Sequence, residues 1–461
     1  MRFTRSKKPW GLAAIAALTA TAVVGLAGAG SSAAATPSAN LPTGNVNIPI
    51  LWWGETEAPG SKKWLQNVEA AYTKLHPNVS FKNSLQSTDG YLPALTAAET
   101  AKKGPAITYL WGGSYTMDAV WKGSIEPISD LVGMAEAKHY LNHDEATWDG
   151  KIWSAAWYNQ PSYPIIYNKK ALAAVGLKAY PKTLASLLSA CKASAAKGVP
   201  FIGLGIKDKW GVGRAAQNML GQTINNVGQI LSSTSGSTSF NQPAYRQFFT
   251  AWQQMSTNKC FPDDVKSLDM YTGQQRVITG KAVSTYITGS EVASYVKNIG
   301  ASNAGVALPP KIGSGPYSGK IGATSQTLAV TSWASSDQKA IAADFIKFMH
   351  KPAQLQSYYA TTGVQPADDR FNTNSITTPQ VKSVATWAKQ KGSPETENYF
   401  PYDVSWNGYN EAQAEIITGK INTVDQMVAM SDQAAETWRK SNRLLLGQYK
   451  KWAGQKSGHG G

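Results

Sequence analysis

The sequence predicts an α/β protein of two domains, and three observations carry that reading. Apolar runs of strand length alternate with segments of helical period from about residue 48 onward. The chain has 461 residues, more than one hydrophobic core usually organises. Hydrophobic residues make up 42% of it, which is enough apolar surface to fill two cores.

The N-terminus comes first. Arg2, Arg5, Lys7 and Lys8 precede an uncharged run over residues 11–30, the layout of an export signal. Ala33, Ala34 and Ala35, then Thr36 and Pro37, supply a small-residue cleavage site. Residues 1–35 therefore read as a signal peptide and 36–45 as a flexible leader. Twenty apolar residues also suffice for a membrane anchor, but the Ala, Gly and Thr content and the adjoining cleavage site favour removal. Outside the cell ATP and nicotinamide cofactors are scarce, so no cofactor is expected. The formal net charge is +15, of which the signal accounts for four. Lys and Arg are scattered with no block of five or six, the pattern of a solvated surface rather than a nucleic-acid site.

The strand over residues 48–53 is followed by a helix with Ser61 as its N-cap. Its apolar residues Trp64, Leu65, Val68, Tyr72 and Leu75 recur at helical spacing until Pro77. A strand over 79–85, a helix over 91–103 ending at Gly104 and a strand over 106–111 complete a β-α-β-α-β unit, which predicts a parallel sheet. Strands are then expected at 165–167, 201–204, 282–287, 305–308 and 327–330. Helices are expected at 183–196, 214–228, 244–257 and 336–349. Residues 232–239, rich in Ser, Thr and Gly, read as a loop, and 456–461 as a disordered tail. From Pro352 onward the chain reads as mainly helical.

Cys191 and Cys260 are the only cysteines. In an exported protein they allow one disulfide; two separate buried thiols fit the spacing almost as well. Searching for chemistry finds neither G-x-S-x-G nor H-E-x-x-H. His139 and His143 stand four apart, but Tyr140 occupies the place of a catalytic Glu, so a polar helix end is the favoured reading and no metal is expected. Glu55, Glu57, Asp89, Glu291, Asp403 and Glu411 could supply the two carboxyls of a glycoside hydrolase, yet any chain of this length offers such a set. A secreted carbohydrate-active enzyme is thus the second hypothesis.

Aromatic residues are the stronger signal, with 16 Trp and 20 Tyr. A sugar presents a C–H face that packs on a flat ring, and hydroxyls that need donors and acceptors. Trp beside short polar residues occurs at strand ends: Trp53 with Glu55, Trp111 with Ser114, Trp157 and Tyr158 with Asn159, and Trp406 with Asn407. Trp64, Trp121, Trp252 and Trp438 read as core.

Several segments in order resemble one family. They include "ILWWGETEAP", "WKGSIEPISDLV", "WDGKIWSAAW" with "YPIIYNKKALAAVG", and "VITGKAVSTYITGSEVAS". From about residue 48 to 420 the chain resembles the extracellular solute-binding proteins of sugar ABC importers, the group related to maltose-binding protein. The resemblance implies a periplasmic-binding-protein-like clamp of two discontinuous lobes, 46–156 with 311–362 and 157–310 with 363–455. Hinge strands are implied near 157–161, 309–311 and 363–366. It also implies a monomer that is not an enzyme, holds a carbohydrate in the crevice between lobes and delivers it to a membrane permease. No cysteine stands near residues 26–36, so the lipid anchor common in the family is not expected. Combined with the strand-end positions, the resemblance implies Trp53, Glu55, Trp111, Trp157, Tyr158, Glu291 and Trp406 as ligand contacts, with Trp210 and Thr324 beside them.

Overall fold

The computed structural model describes residues 41–208, 210–389 and 394–457. The signal-peptide reading of 1–35, the first half of the leader and the end of the tail lie outside the described residues. The first strand, β1 (Val46–Trp52), begins in alternation, with Val46, Ile48 and Ile50 buried and Asn47 exposed. Leu51 and Trp52 are then both buried, as in a strand covered on both faces.

Helix α1 (Ser61–Leu75) buries Trp64, Leu65, Val68 and Tyr72, the predicted stripe. Its start differs from expectation: Ser61 is the first helical residue, and Gly60, at φ 97°, is the cap. The orphan N–H groups go instead to Glu55, whose carboxylate accepts from Gly60 N at 2.9 Å and Lys62 N at 2.6 Å. The parallel strand β2 (Val79–Leu85) lies beside β1. Helix α2 (Thr88–Ala101), capped by Ser87, returns the chain to β3 (Ile107–Trp111), on the other side of β1. Helix α3 (Ser114–Trp121) follows directly.

The larger sheet has five strands in the order β2-β1-β3-β10-β6. Between β3 and its partners the chain forms a two-strand hairpin, β4 (Thr147–Trp148) with β5 (Lys151–Ile152). It then forms β6 (Ala155–Pro161) at the sheet's edge. The smaller sheet is β8 (Ser284–Tyr286), β7 (Ile165–Asn168) and β9 (Ala304–Ala307), all antiparallel. β10 (Ala323–Val330) returns to the larger sheet and pairs antiparallel with both β3 and β6. The parallel sheet predicted from the N-terminal alternation therefore holds for β2, β1 and β3 and no further. Only the connections through α1 and α2 are crossovers of the kind that parallel neighbours need.

The strand expected at 201–204 reduces to one bridge between Ile202 and Ser284. Gly203 and Gly205 interrupt it, and an added Cβ at Gly205 would lie 2.0 Å from the Asp269 carbonyl oxygen. The loop expected at 232–239 is helical in its first half, within Gly228–Ser235. The C-terminal helix Arg443–Ser457 runs past the point where the tail was expected to begin. Trp64, Trp252 and Trp438 are buried and Trp121 packs against the same core, as read. A second, smaller core, including Ile166, Val292, Val296 and Val384, lies by the smaller sheet. Cys191 and Cys260 form a disulfide. Among the described residues no helix is long and apolar enough to cross a membrane.

Candidate functional site

A cavity of about 340 Å3 opens where β1 and β3 end, the position at which open α/β sheets offer ligand crevices. Trp53, one residue beyond β1, and Trp111, the last of β3, form one wall, their rings 5.2 Å apart. Trp53 is fixed by its indole N–H, which donates to Thr88 Oγ1 at 3.0 Å. Opposite stand the helix Trp210–Thr223 and the segment 395–406. Trp406 lies in a π-helical turn, Ser405–Tyr409, and packs on Tyr402 at 4.9 Å. Such turns recur at functional sites. Close approach of the two sides depends on Gly113, at φ 67°, where a Cβ would sit 2.1 Å from Asn398 O.

The polar lining is a connected network. A bulge at Trp157 of β6, opposite Gln326 and Thr327 of β10, shifts the register between the two strands, and the Gln326 amide bonds both Tyr109 and Gln160. Gln160 reaches Glu57 at 3.4 Å. Glu57 and Glu291 hold the Arg214 guanidinium between them, Glu291 at 2.6 Å. All three side chains are nearly inaccessible to solvent. Burial, reinforced by Glu291, outweighs Arg214 and pushes Glu57 up to about 7. Across the cavity Glu395 accepts from Tyr163 Oη at 3.0 Å and Ser162 Oγ at 3.1 Å. Burial, with the nearby Glu397 and Glu57, pushes it up to about 8. Glu397 accepts from Ser405 Oγ at 2.9 Å, Asn410 Nδ2 at 3.0 Å and Gln217. Burial raises it as well.

Of the residues expected as ligand contacts, Trp53, Trp111 and Trp406 line this cavity. Glu55 does not, because its carboxylate caps α1. Trp157 does not either: it is buried against Trp52, Trp64 and Tyr358, on the side of β6 that faces α1. Tyr158, fully buried, packs along Tyr358. Glu291 stands behind Arg214 and reaches the cavity only through it. Thr324 bonds Glu145 and Asn398, one layer beneath the lining. The Trp210 side chain lies outside the described residues. Lining residues that the sequence reading passed over include Arg214, Gln217, Tyr163, Glu395, Glu397 and Tyr402. Apart from Tyr163, whose positive φ of 49° at the turn out of β6 gives no sequence signature, these lie on helices or helical turns. Their polar side chains read as ordinary surface.

These placements separate binding from folding. Trp111→Ala is expected to weaken ligand binding by about 1–3 kcal/mol beyond the drop in melting temperature that follows from losing its ring contacts with Trp53, Tyr91, Tyr109 and Tyr115. Trp157→Phe is expected to destabilise by about 1–2 kcal/mol with affinity unchanged. Calorimetry and thermal melts on both variants check this.

The buried carboxyls also set a pH dependence. Glu395, Glu57 and Glu69 are held at about 8, about 7 and about 7, above the ordinary value of 4.5. A group whose folded value is raised holds its proton more tightly when folded. Its stabilisation is therefore complete below about 4.5 and is lost as pH rises through 7 to 8. Asp368, held low by Arg370 and His350 against its burial, acts in the opposite sense and only in acid. Melting temperature is expected to fall between about pH 5.5 and pH 8.5, and Glu395→Gln is expected to flatten that fall.

A family model described as bacterial extracellular solute-binding protein matches residues 68–388, more than half the chain. The chain belongs to this family. No curated protein sequence matches this solute-binding protein, whereas solved structures match its fold. A chitin oligosaccharide binding protein is 20% identical with a TM-score of 0.75, over 85% of this chain and 99% of that one. A maltose-bound protein from T. maritima is 17% identical at 0.68, over 85% and 99%. A raffinose complex is 15% identical at 0.66, over 85% and 100%. The fold is thus the two-lobed α/β fold of solute-binding proteins, as the sequence predicts.

Proposed function

We propose that this solute-binding protein captures a carbohydrate outside the cell and presents it to the membrane permease of an ABC importer, without chemical conversion. The observation that carries the reading is the cleft itself. Trp53, Trp111 and Trp406 offer flat rings for the C–H faces of a sugar, and Gln160, Gln217, Gln326 and Asn398 offer amide donors and acceptors for its hydroxyls. Support comes from the matched structures, which hold or are named for maltose, raffinose and chitin oligosaccharide.

The N-terminal segment 1–35 serves export in this reading. The lobes are 46–156 with 311–362 and 157–310 with 363–455. The chain crosses between the two sheets after β6 and again before β10, and Tyr158 bridges Pro366, which is consistent with those borders. The protein acts as a monomer, and a ligand touching both sides favours the closed form by its differential affinity.

A thermal-shift screen over mono- and oligosaccharides tests the function. A sugar at 100 times its Kd is expected to stabilise the protein by about 2.7 kcal/mol, with a smaller scattering radius. The hydrolase alternative instead requires new reducing ends after incubation, and none are expected. If no saccharide raises the melting temperature, the carbohydrate reading fails.

A further inference from the structure

The cleft holds more carboxyl groups than a neutral sugar uses. Glu57, Asp89, Glu395 and Glu397 all line one cavity. The cation among its lining residues, Arg214, is already clasped by Glu57 and Glu291. This acidic pocket is set in a chain with a formal net charge of +15. Bringing like charges together in a buried space costs free energy, and glutamines could hold the surrounding hydrogen bonds without that cost.

Two independent features point to what the charge is for. Gln217, 3% exposed, turns its Nε2 to Glu397 and leaves Oε1 without a hydrogen-bond partner. An unmet acceptor beside carboxylates calls for a donor. The rings of Trp53, Trp111 and Tyr163 wall the same cavity, and an aromatic face attracts a cation as well as a C–H surface. An adjoining cavity of about 520 Å3 shares Trp111 and Tyr115 with the first. There Glu99, Asp118 and Asp403 outnumber Lys122, so acidity continues along the space that further sugar units would occupy.

We propose that the ligand is an amine-bearing saccharide whose ammonium sits against Glu395, Glu397 and Gln217 Oε1, with its rings on Trp53 and Trp111. This rests on the carbohydrate reading above and names its substrate class. Seating the ammonium releases the proton held on the Glu395 carboxyl: the O–H bond breaks, the proton leaves to buffer and a carboxylate–ammonium pair remains. Affinity therefore passes through a maximum with pH, rising as the Glu395 proton becomes easier to release and falling as the sugar amine loses its own proton.

The test is calorimetry of the wild-type protein with four probes: chitosan oligosaccharides with free amines, N-acetylated chitin oligosaccharides of equal length, cello-oligosaccharides, and spermidine. The free-amine set is expected to bind at least about tenfold tighter than either neutral set. It should also release protons, seen as buffer-dependent heats, and weaken between about 50 and 500 mM salt. The Glu395→Gln, Glu397→Gln double variant is expected to lose about tenfold or more of that affinity. Glu69→Gln, which removes a carboxyl on α1 outside the cleft, is expected to lose none. Equal or tighter binding of a neutral set overturns the amine proposal and leaves the carbohydrate reading standing. Binding of spermidine alone, or of no probe, overturns the amine proposal, and the carbohydrate reading then stands or falls with the thermal-shift screen. The wild-type comparison needs no variant, so misfolding of the double variant would not shield the proposal.

Discussion

Arg214→Met is expected to destabilise the protein by about 3–5 kcal/mol, seen as a lower denaturation midpoint in urea with or without ligand. The guanidinium lies between Glu57 and Glu291, and all three side chains are at most 6% exposed. Without it, two carboxyls face each other in the interior with no cation between them. They can respond only by taking up protons, so the loss is expected to deepen as pH rises. Glu291 also closes its own helical turn, accepting from Thr288 N at 2.9 Å and Thr288 Oγ1 at 3.0 Å, which holds the carboxylate in place whether or not Arg214 is there. Replacing all three residues together, by Gln, Met and Gln, is expected to recover much of the stability, because a buried ion set contributes little beyond its own desolvation. Recovery of stability without recovery of binding would assign the triad to the ligand. If Arg214→Met alone melts like the parent, the guanidinium is not the buried counter-ion described here.

The second large effect belongs to the disulfide. Cys191 and Cys260 are 69 residues apart and both fully buried. One lies on the helix Leu184–Ala195 and the other follows the helix Pro243–Thr257. Closing a loop of that length restricts the unfolded chain, a stabilisation of about 4 kcal/mol in the chain-entropy account. The Cys191→Ala, Cys260→Ala double variant is expected to lose about that much. Reductant added to the folded protein is expected to act slowly, because the sulfurs become accessible only on opening. A double variant as stable as the parent would show that helix packing alone holds these two segments.

The sequence was most legible where local and global preferences agree. β2 spans the predicted residues, and the helix Ser336–Met349 matches because Ser335 and Gln338 form a capping box before a clear apolar stripe. The antiparallel place of β10 was not legible, since its partners β3 and β6 lie more than 150 residues away in the chain and leave no local signal. In the site, Trp53, Trp111 and Trp406 could be found because an indole at a strand end or beside Gly and Asn is conspicuous. Glu55 misled for a physical reason: a carboxylate after a strand can serve a ligand or the next helix, and only the position of Gly60 and Lys62 decides. The strand carrying Trp157 and Tyr158 is covered on both faces, so neither ring is free to reach the cavity. Glu395 and Glu397 are enclosed by the fold, Glu395 as the cap of a four-residue 310 turn, Thr396–Tyr399, and Glu397 within it; so short a turn has no periodicity by which buried acidic residues could be told from surface ones in sequence.

The position of β10 has a consequence for how the chain must fold. β3 and β6 never pair with each other; each pairs with β10, which lies between them. Until residues 323–330 are available, the sheet exists as a parallel fragment with an open edge and a separate strand beside it. An open edge is a template for another chain, and pairing across so long a separation is slow. A chain halted before residue 323 would therefore expose two sticky edges rather than form a smaller stable domain. Stabilising fragments of this protein by trimming its C-terminus is for that reason the wrong direction; the strand that locks the sheet arrives after two thirds of the sequence.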